Sequence, residues 1–183
     1  MANPTYSPDK IVQTESLLEQ GLSLHKAGNF NQAIATWQQA IQDYALQEDS
    51  LAVALANNYL SLSYQELEQW QEAESAIAKS LNLLQSLESS PSPLYFEILA
   101  KSLNTQGRWQ WEQSQFEAAL ATWRQATINY QEANNNEGII ISLLNQAQVL
   151  QILGFSTKAK TTLETVYQNL QQQPDSLLKS RGM

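Results

Sequence analysis

The feature that most limits what this chain can fold into is a phrase it repeats. Gly28-Asn29-Phe30-Asn31-Gln32-Ala33-Ile34-Ala35-Thr36-Trp37-Gln38-Gln39-Ala40-Ile41 has a close copy 86 residues on, in which Phe116, Ala119, Ala121, Thr122, Trp123, Gln125 and Ala126 stand for Phe30, Ala33, Ala35, Thr36, Trp37, Gln39 and Ala40. Weaker copies are Trp70-Gln71-Glu72-Ala73 with Ile77, and Gly154-Phe155-Ser156-Thr157-Lys158-Ala159 with Leu163. The central alanines Ala33, Ala73, Ala119 and Ala159 lie 40, 46 and 40 residues apart. Self-similarity at such a period predicts stacked helical units, because one unit cannot bury its apolar face alone. Each copy reads as a helix hairpin: a glycine or polar residue closes one helix, an aromatic fills the corner, and an alanine lets two backbones approach closely.

The order of small and aromatic positions resembles the tetratricopeptide repeat. Gly21, Leu24, Gly28, Phe30, Ala33, Trp37 and Ala40 follow that family's pattern in the first copy, and Ser61, Tyr64, Trp70, Ala73, Ile77 and Ser80 in the second. Gly107, Phe116, Ala119, Trp123 and Ala126 do so in the third, and Ala147, Leu150, Gly154, Ala159, Leu163 and Val166 more loosely in the fourth. The resemblance implies an all-α fold, a right-handed α-solenoid of about four hairpins plus a partial terminal helix. Spacings of 40 in place of the family's 34 imply longer helices or connectors.

Local signals set the expected boundaries. Residues 1–8 read as a disordered lead, and the array spans 9–173, with repeats at about 9–47, 49–88, 93–133 and 137–173. Ser7-Pro8 and Ser92-Pro93 each combine an N-capping serine with a proline at the first helical position, where its missing N–H costs nothing. Asp49 or Ser50 caps the third helix, and Pro91 and Pro93 forbid helix through Ser89-Ser90-Pro91-Ser92, which accounts for the spacing of 46. Residues 174–183, beginning Pro174-Asp175-Ser176-Leu177-Leu178, open like another first helix. That segment either starts a further repeat of a longer array or folds down as a terminal cap.

Composition narrows the function classes. A chain of 183 residues, 43% hydrophobic, can bury a continuous core. The net charge of −8 repels a phosphate backbone, so no nucleic-acid partner is expected. No apolar run approaches the roughly 20 residues of a membrane span. The N-terminus lacks a charged region followed by an apolar one, so a cytoplasmic location is expected. Absence of cysteine excludes thiolate metal sites and a cysteine nucleophile within the chain. His25, the lone histidine, reads as a polar residue near the end of the first helix, and scattered acids such as Glu66, Glu68, Glu72 and Glu74 read as solvated faces. No catalytic site, metal or cofactor is expected.

Trp37, Trp70 and Trp123 recur at repeat positions and read as core. Trp109 and Trp111 sit two apart on a helix and cannot face one way, so one is expected inside and the other exposed. In tetratricopeptide arrays the first helix of each hairpin lines a concave groove. The resemblance maps that surface to Glu15, Leu18, Leu22, His25 and Lys26, then Leu55, Asn58, Leu62, Gln65 and Glu66. The third and fourth repeats contribute Lys101, Asn104, Arg108, Trp111 and Glu112, then Ile141, Leu144, Gln148, Gln151 and Ile152. The expected peptide-binding set is Asn58, Leu62, Gln65, Lys101, Asn104, Arg108, Trp111, Leu144 and Gln148. Asparagine both donates to and accepts from a peptide backbone, and Lys101 and Arg108, two helical turns apart, share a face suited to an acidic group. Leu18 and Leu22 stand where the carboxylate clamp of co-chaperone repeats has a lysine and an asparagine, which disfavours chaperone-tail binding.

A narrower resemblance rests on Asn57-Asn58-Tyr59-Leu60-Ser61-Leu62-Ser63-Tyr64-Gln65-Glu66-Leu67, on Ala76-Ile77-Ala78-Lys79-Ser80-Leu81-Asn82-Leu83-Leu84-Gln85 and on Pro174-Asp175-Ser176-Leu177-Leu178-Lys179. These are similar to the N-terminal repeat array of bacterial CHAT proteins, which join tetratricopeptide repeats to a caspase-like peptidase domain. No part of that domain is present. The resemblance implies a non-catalytic sensor or adaptor that binds a protein or peptide ligand. The alternative is a structural module that caps or self-associates through its C-terminal end.

Overall fold

The computed structural model describes residues 8–87 and 91–171, with side chains from residue 17 onward. Of the expected lead, 1–8, only Pro8 is described, as the first residue of α1, and the expected terminal helix, 174–183, lies outside the described residues. Among the described residues there are eight helices and no strands: α1 (Pro8–Lys26), α2 (Phe30–Leu46), α3 (Ser50–Glu66), α4 (Trp70–Ser86), α5 (Pro93–Glu112), α6 (Phe116–Glu132), α7 (Asn136–Ile152) and α8 (Ser156–Gln171). The chain divides into two compact units, Met1–Ser89 and Ser90–Met183. Within each, every helix packs on the next, and the first helices of the two hairpins touch: α1 with α3, α5 with α7.

Each three-residue corner has the same construction. Gly28, Glu48 and Glu68 in the first unit, and Ser114, Asn134 and Gly154 in the second, have φ between 54° and 79°. They stand twenty residues apart within a unit. The residue after each sends its N–H back to a carbonyl five positions earlier, as in Asn29 to Leu24 at 2.9 Å and Phe155 to Leu150 at 2.8 Å. The left-handed residue itself donates three back, as in Gly28 to His25 at 3.0 Å. This is the Schellman closure, which satisfies the last helical carbonyls with backbone alone. Side-chain caps open some helices: Asp49 Oδ1 accepts from Ala52 N–H at 3.0 Å, Ser92 Oγ from Tyr95 N–H at 3.1 Å, and Asn135 Oδ1 from Gly138 N–H at 2.8 Å.

The two units carry the same core device. Trp37 and Trp123 are buried, and each lies over a glycine of the preceding helix. A Cβ on Gly21 would stand 2.6 Å from Trp37 Cζ3, and one on Gly107 would stand 2.6 Å from Trp123 Nε1. The glycines are therefore needed for close approach, not for an unusual φ. Ala33, Leu60 and Ala76 complete the first core around Trp37. Ala119, Leu120, Val149, Leu150 and Ala159 do so around Trp123. Trp70, expected in the core, is half-buried at the start of α4.

Buried polar groups then tie helices together. Ser61 Oγ donates to Ala73 O and Ser80 Oγ to Ala54 O, both at 2.8 Å, linking α3 to α4. In the second unit the Thr127 hydroxyl donates to Trp123 O at 3.0 Å, accepts from Gln146 Nε2 at 2.7 Å and shares a 2.7 Å bond with Ser142, linking α6 to α7.

Candidate functional site

The first unit does not present the expected ligand face on α3. Asn58 is 1% exposed, and its Oδ1 has no hydrogen-bond partner among the described residues. Gln65 is also buried, with Nε2 donating to Ser61 Oγ at 3.3 Å, and Leu62 is half-buried. The expectation of Asn58 and Gln65 as ligand-facing amides is corrected accordingly. Residues 54, 56, 57, 58, 60, 61, 63 and 65 of α3 are all buried, so this helix is covered nearly all round and keeps no broad open stripe. His25, at the end of α1, is engaged too: its Nδ1 lies 3.0 Å from Ser63 Oγ, which also accepts the Trp37 indole N–H at 3.2 Å, and its ring meets Phe30 edge-on at 5.2 Å. The open concavity in this unit is instead a groove of about 1050 Å³ between α2 and α4 with α3 as its floor, lined by Gln38, Gln42, Asn57, Tyr64, Lys79 and Asn82 among others.

In the second unit α5 and α7 are joined at one of the expected residues, Asn104. Lys101, Asn104 and Arg108 follow one another at i, i+3 and i+7 on α5, and Ile141, Leu144, Gln148 and Ile152 at the same kind of spacing on α7, the helix that α5 touches. Asn145 Nδ2 donates to Asn104 Oδ1 at 3.2 Å across the two helices, and Asn104 O accepts the Trp123 indole N–H at 3.2 Å. Asn104 is thereby fixed at both its side chain and its backbone, while its Nδ2 donors have no partner among the described residues. On α7, Leu144 and Ile141 are each 38% exposed, and Gln148 is exposed.

Lys101 is committed within the fold. Its Nζ pairs with Glu97 at 2.9 Å, and both Glu97 carboxylate oxygens accept from Asn135 Nδ2 at 2.9 Å. Burial pushes the Glu97 pKa up, but the hydrogen bonds from Asn135 and Lys101 and the lysine charge outweigh it, leaving the carboxyl below its ordinary value. An acidic ligand at Lys101 would have to displace that pairing. Trp111 is half-buried against the core, 5.4 Å from the Phe116 ring and 6.1 Å from Trp123, and Trp109 is half-buried as well. The expected split into one buried and one exposed tryptophan is therefore not seen. Sequence reasoning missed Glu97 and Asn145. The i, i+4 spacing of Glu97 and Lys101 was a usable signal, whereas nothing local marks Asn145 as the partner of Asn104.

Among the described residues no group of three His, Asp or Glu side chains is placed to hold a metal ion, and no helix is long and apolar enough to cross a membrane.

Residues 15–46 match the tetratricopeptide repeat family model. No curated protein matches the sequence. Among similar solved structures, BtubC (BKLC) from P. vanneervenii is 16% identical, with a TM-score of 0.73 over 94% of this chain and 70% of that one. A Podosopora anserina protein described as a kinesin light chain with nearly identical TPR-like repeats is 15% identical, with a TM-score of 0.52 over 88% of this chain and 98% of that one. At such identities the likeness is one of fold: this is an all-α protein of repeated helices, arranged like those TPR-like solenoid structures. Tetratricopeptide repeats generally mediate protein–protein interaction and are typically non-catalytic scaffolds.

Proposed function

We propose that the α5–α7 face of the second unit binds an extended segment of a protein partner, through Asn104, Arg108, Leu144 and Gln148. The observation that carries this reading is the fixed Asn104 carboxamide. It is held by Asn145 from the neighbouring first helix, and its donors are directed to no group of the described chain. A pre-positioned amide on α5, with Leu144 and Ile141 exposed on α7, suits a peptide, whose backbone carbonyls repeat regardless of sequence while its side chains meet apolar surface. Lys101 and Trp111 act here as supports: the first orders Glu97 and the α7 cap, the second backs Phe116.

The test is a random-sequence peptide display library panned on the whole chain. Peptides enriched on the wild type should bind the Asn104→Ala, Arg108→Ala double variant at least about tenfold more weakly, as expected for losing one or two hydrogen bonds to partly desolvated groups. Equal binding by a variant of unchanged helicity would reject the site. The wider role of sensor or adaptor in a CHAT-type system belongs to this proposal and rests on the sequence resemblance alone.

A further inference from the structure

The first unit has an open feature that the proposed function does not use, the groove of about 1050 Å³ between α2 and α4. Its wall on α4 is one stripe, Gln71, Ser75, Lys79, Asn82 and Ser86, at i, i+4, i+8, i+11 and i+15. At 1.5 Å per residue that stripe is roughly 22 Å long, the span of about seven residues of extended chain. Aliphatic surface lies beneath, from Ile41 on α2, Val53 and Leu60 on α3, and Leu83 on α4.

One atom of this groove points to a ligand. Asn57 is only 5% exposed, and its Nδ2 donates to Val53 O at 2.9 Å within its own helix. Its Oδ1 has no hydrogen-bond partner among the described residues. Unlike the Asn58 Oδ1, which is shut away from solvent, it opens onto the groove that Asn57 lines. A nearly buried acceptor left without a donor is unfavourable, so whatever displaces water here must bring an N–H or O–H to it. Tyr64, two turns along α3 on the same stripe, offers the converse. Its hydroxyl accepts from Gln38 Nε2 at 3.2 Å and has no acceptor for its own proton among the described residues.

An acceptor and a donor in one line over an aliphatic bed match an extended peptide, whose edge carries both N–H and C=O groups while every second side chain faces down. A helix matches less well, because beyond its first turn its backbone donors are used within it. The charged groups of the lining are Glu72 and Lys79, which cancel, so the groove favours a segment without net charge. We propose that the α2–α4 groove binds such a segment in extended form, with aliphatic side chains at alternate positions and a backbone N–H on Asn57 Oδ1. The site is separate from the α5–α7 face and does not rest on it.

The test is a random-sequence peptide display library panned on the whole chain carrying Asn104→Ala and Arg108→Ala, so that the other face contributes nothing. Enriched peptides should share alternating aliphatic residues, and their Cα chemical shifts, read by NMR on labelled peptide, should move toward extended values on binding. Asn57→Leu, which keeps the shape and removes the acceptor, and Tyr64→Phe should each weaken binding by about tenfold. Ser75 is exposed, so Ser75→Trp obstructs the groove without touching the core and should abolish capture. Failure to enrich any peptide, peptides indifferent to Ser75→Trp, or peptides that turn helical when bound each overturn the proposal. Ser75→Trp in the otherwise native chain should leave peptides of the α5–α7 face bound as before, so the two readings fail separately.

Discussion

Trp37 and Trp123 occupy the same place in the two units, each over a glycine, yet they are surrounded by opposite choices of polarity. In the first unit Ile41, Ala56 and Leu60 fill the neighbourhood; at the matching places the second unit has Thr127, Ser142 and Gln146, joined in one hydrogen-bonded group. In the first unit the serines Ser61 and Ser80 bind carbonyls across α3 and α4; the second has Ala147 and Val166 there. One backbone plan thus accepts a buried hydroxyl or a methyl at a given place, provided every buried donor finds an acceptor. What the plan does not exchange is the close contact of ring and glycine.

The largest test of that distinction is to remove the rings. Trp37→Ala and Trp123→Ala should each cost about 3–5 kcal/mol in denaturant unfolding, from lost burial and the cavity left behind. If one costs less than half the other, the two locks are not equivalent. Adding a methyl beneath them is the next step down: Gly21→Ala and Gly107→Ala should each cost about 1–3 kcal/mol through overpacking, because the indole ring has no second place to go.

The polar group divides differently. Thr127→Val alone should cost about 1 kcal/mol, because Gln146 and Ser142 each lose one partner while keeping Trp123 O and Ile139 O, whereas the triple change Thr127→Ile, Ser142→Ala, Gln146→Leu, which copies the first unit, should be close to neutral. A triple variant as unstable as the single one would show that the second unit requires its polarity.

Corner residues offer a smaller contrast. A Cβ at Gly28 meets nothing within 4 Å, so Gly28→Ser should cost only the left-handed strain, about 1 kcal/mol, and Ser114→Gly at the matching corner should gain somewhat less than that. Smallest is the acid dependence of the second unit. The folded-state pKa of Glu97 lies below its ordinary value of 4.5, so its ionised form stabilises the fold above that value and the contribution disappears as pH falls through the folded pKa. The melting temperature of Glu97→Gln should trail the wild type at neutral pH by the equivalent of about 0.5 kcal/mol and converge with it in acid.

The repeat phase was legible because close packing leaves a mark on residue type: only small side chains at Gly21, Gly107, Ala33 and Ala119 admit a tryptophan beside them. Helix ends were legible for the same kind of reason at Asp49 and Ser92, whose caps the structure shows. The ligand face was only partly legible. Spacing places Asn58 and Asn104 on comparable stripes, yet it does not say how many neighbours cover a helix, and α3 turned out to be enclosed where α5 is not. Thr127, Ser142 and Gln146 look like ordinary solvated residues in a list of letters, because their partnership exists only once α6 and α7 are side by side.

The backbone-closed corners have a consequence for how such a chain can lengthen. Since each helix ends through its own amides, a corner tolerates glycine, serine, asparagine or glutamate and asks little of the residues beside it. A duplicated stretch of two helices can therefore be spliced in at any corner without retuning the joint. A single added helix cannot, because it would break the alternation of first and second helices on which the packing of neighbours rests.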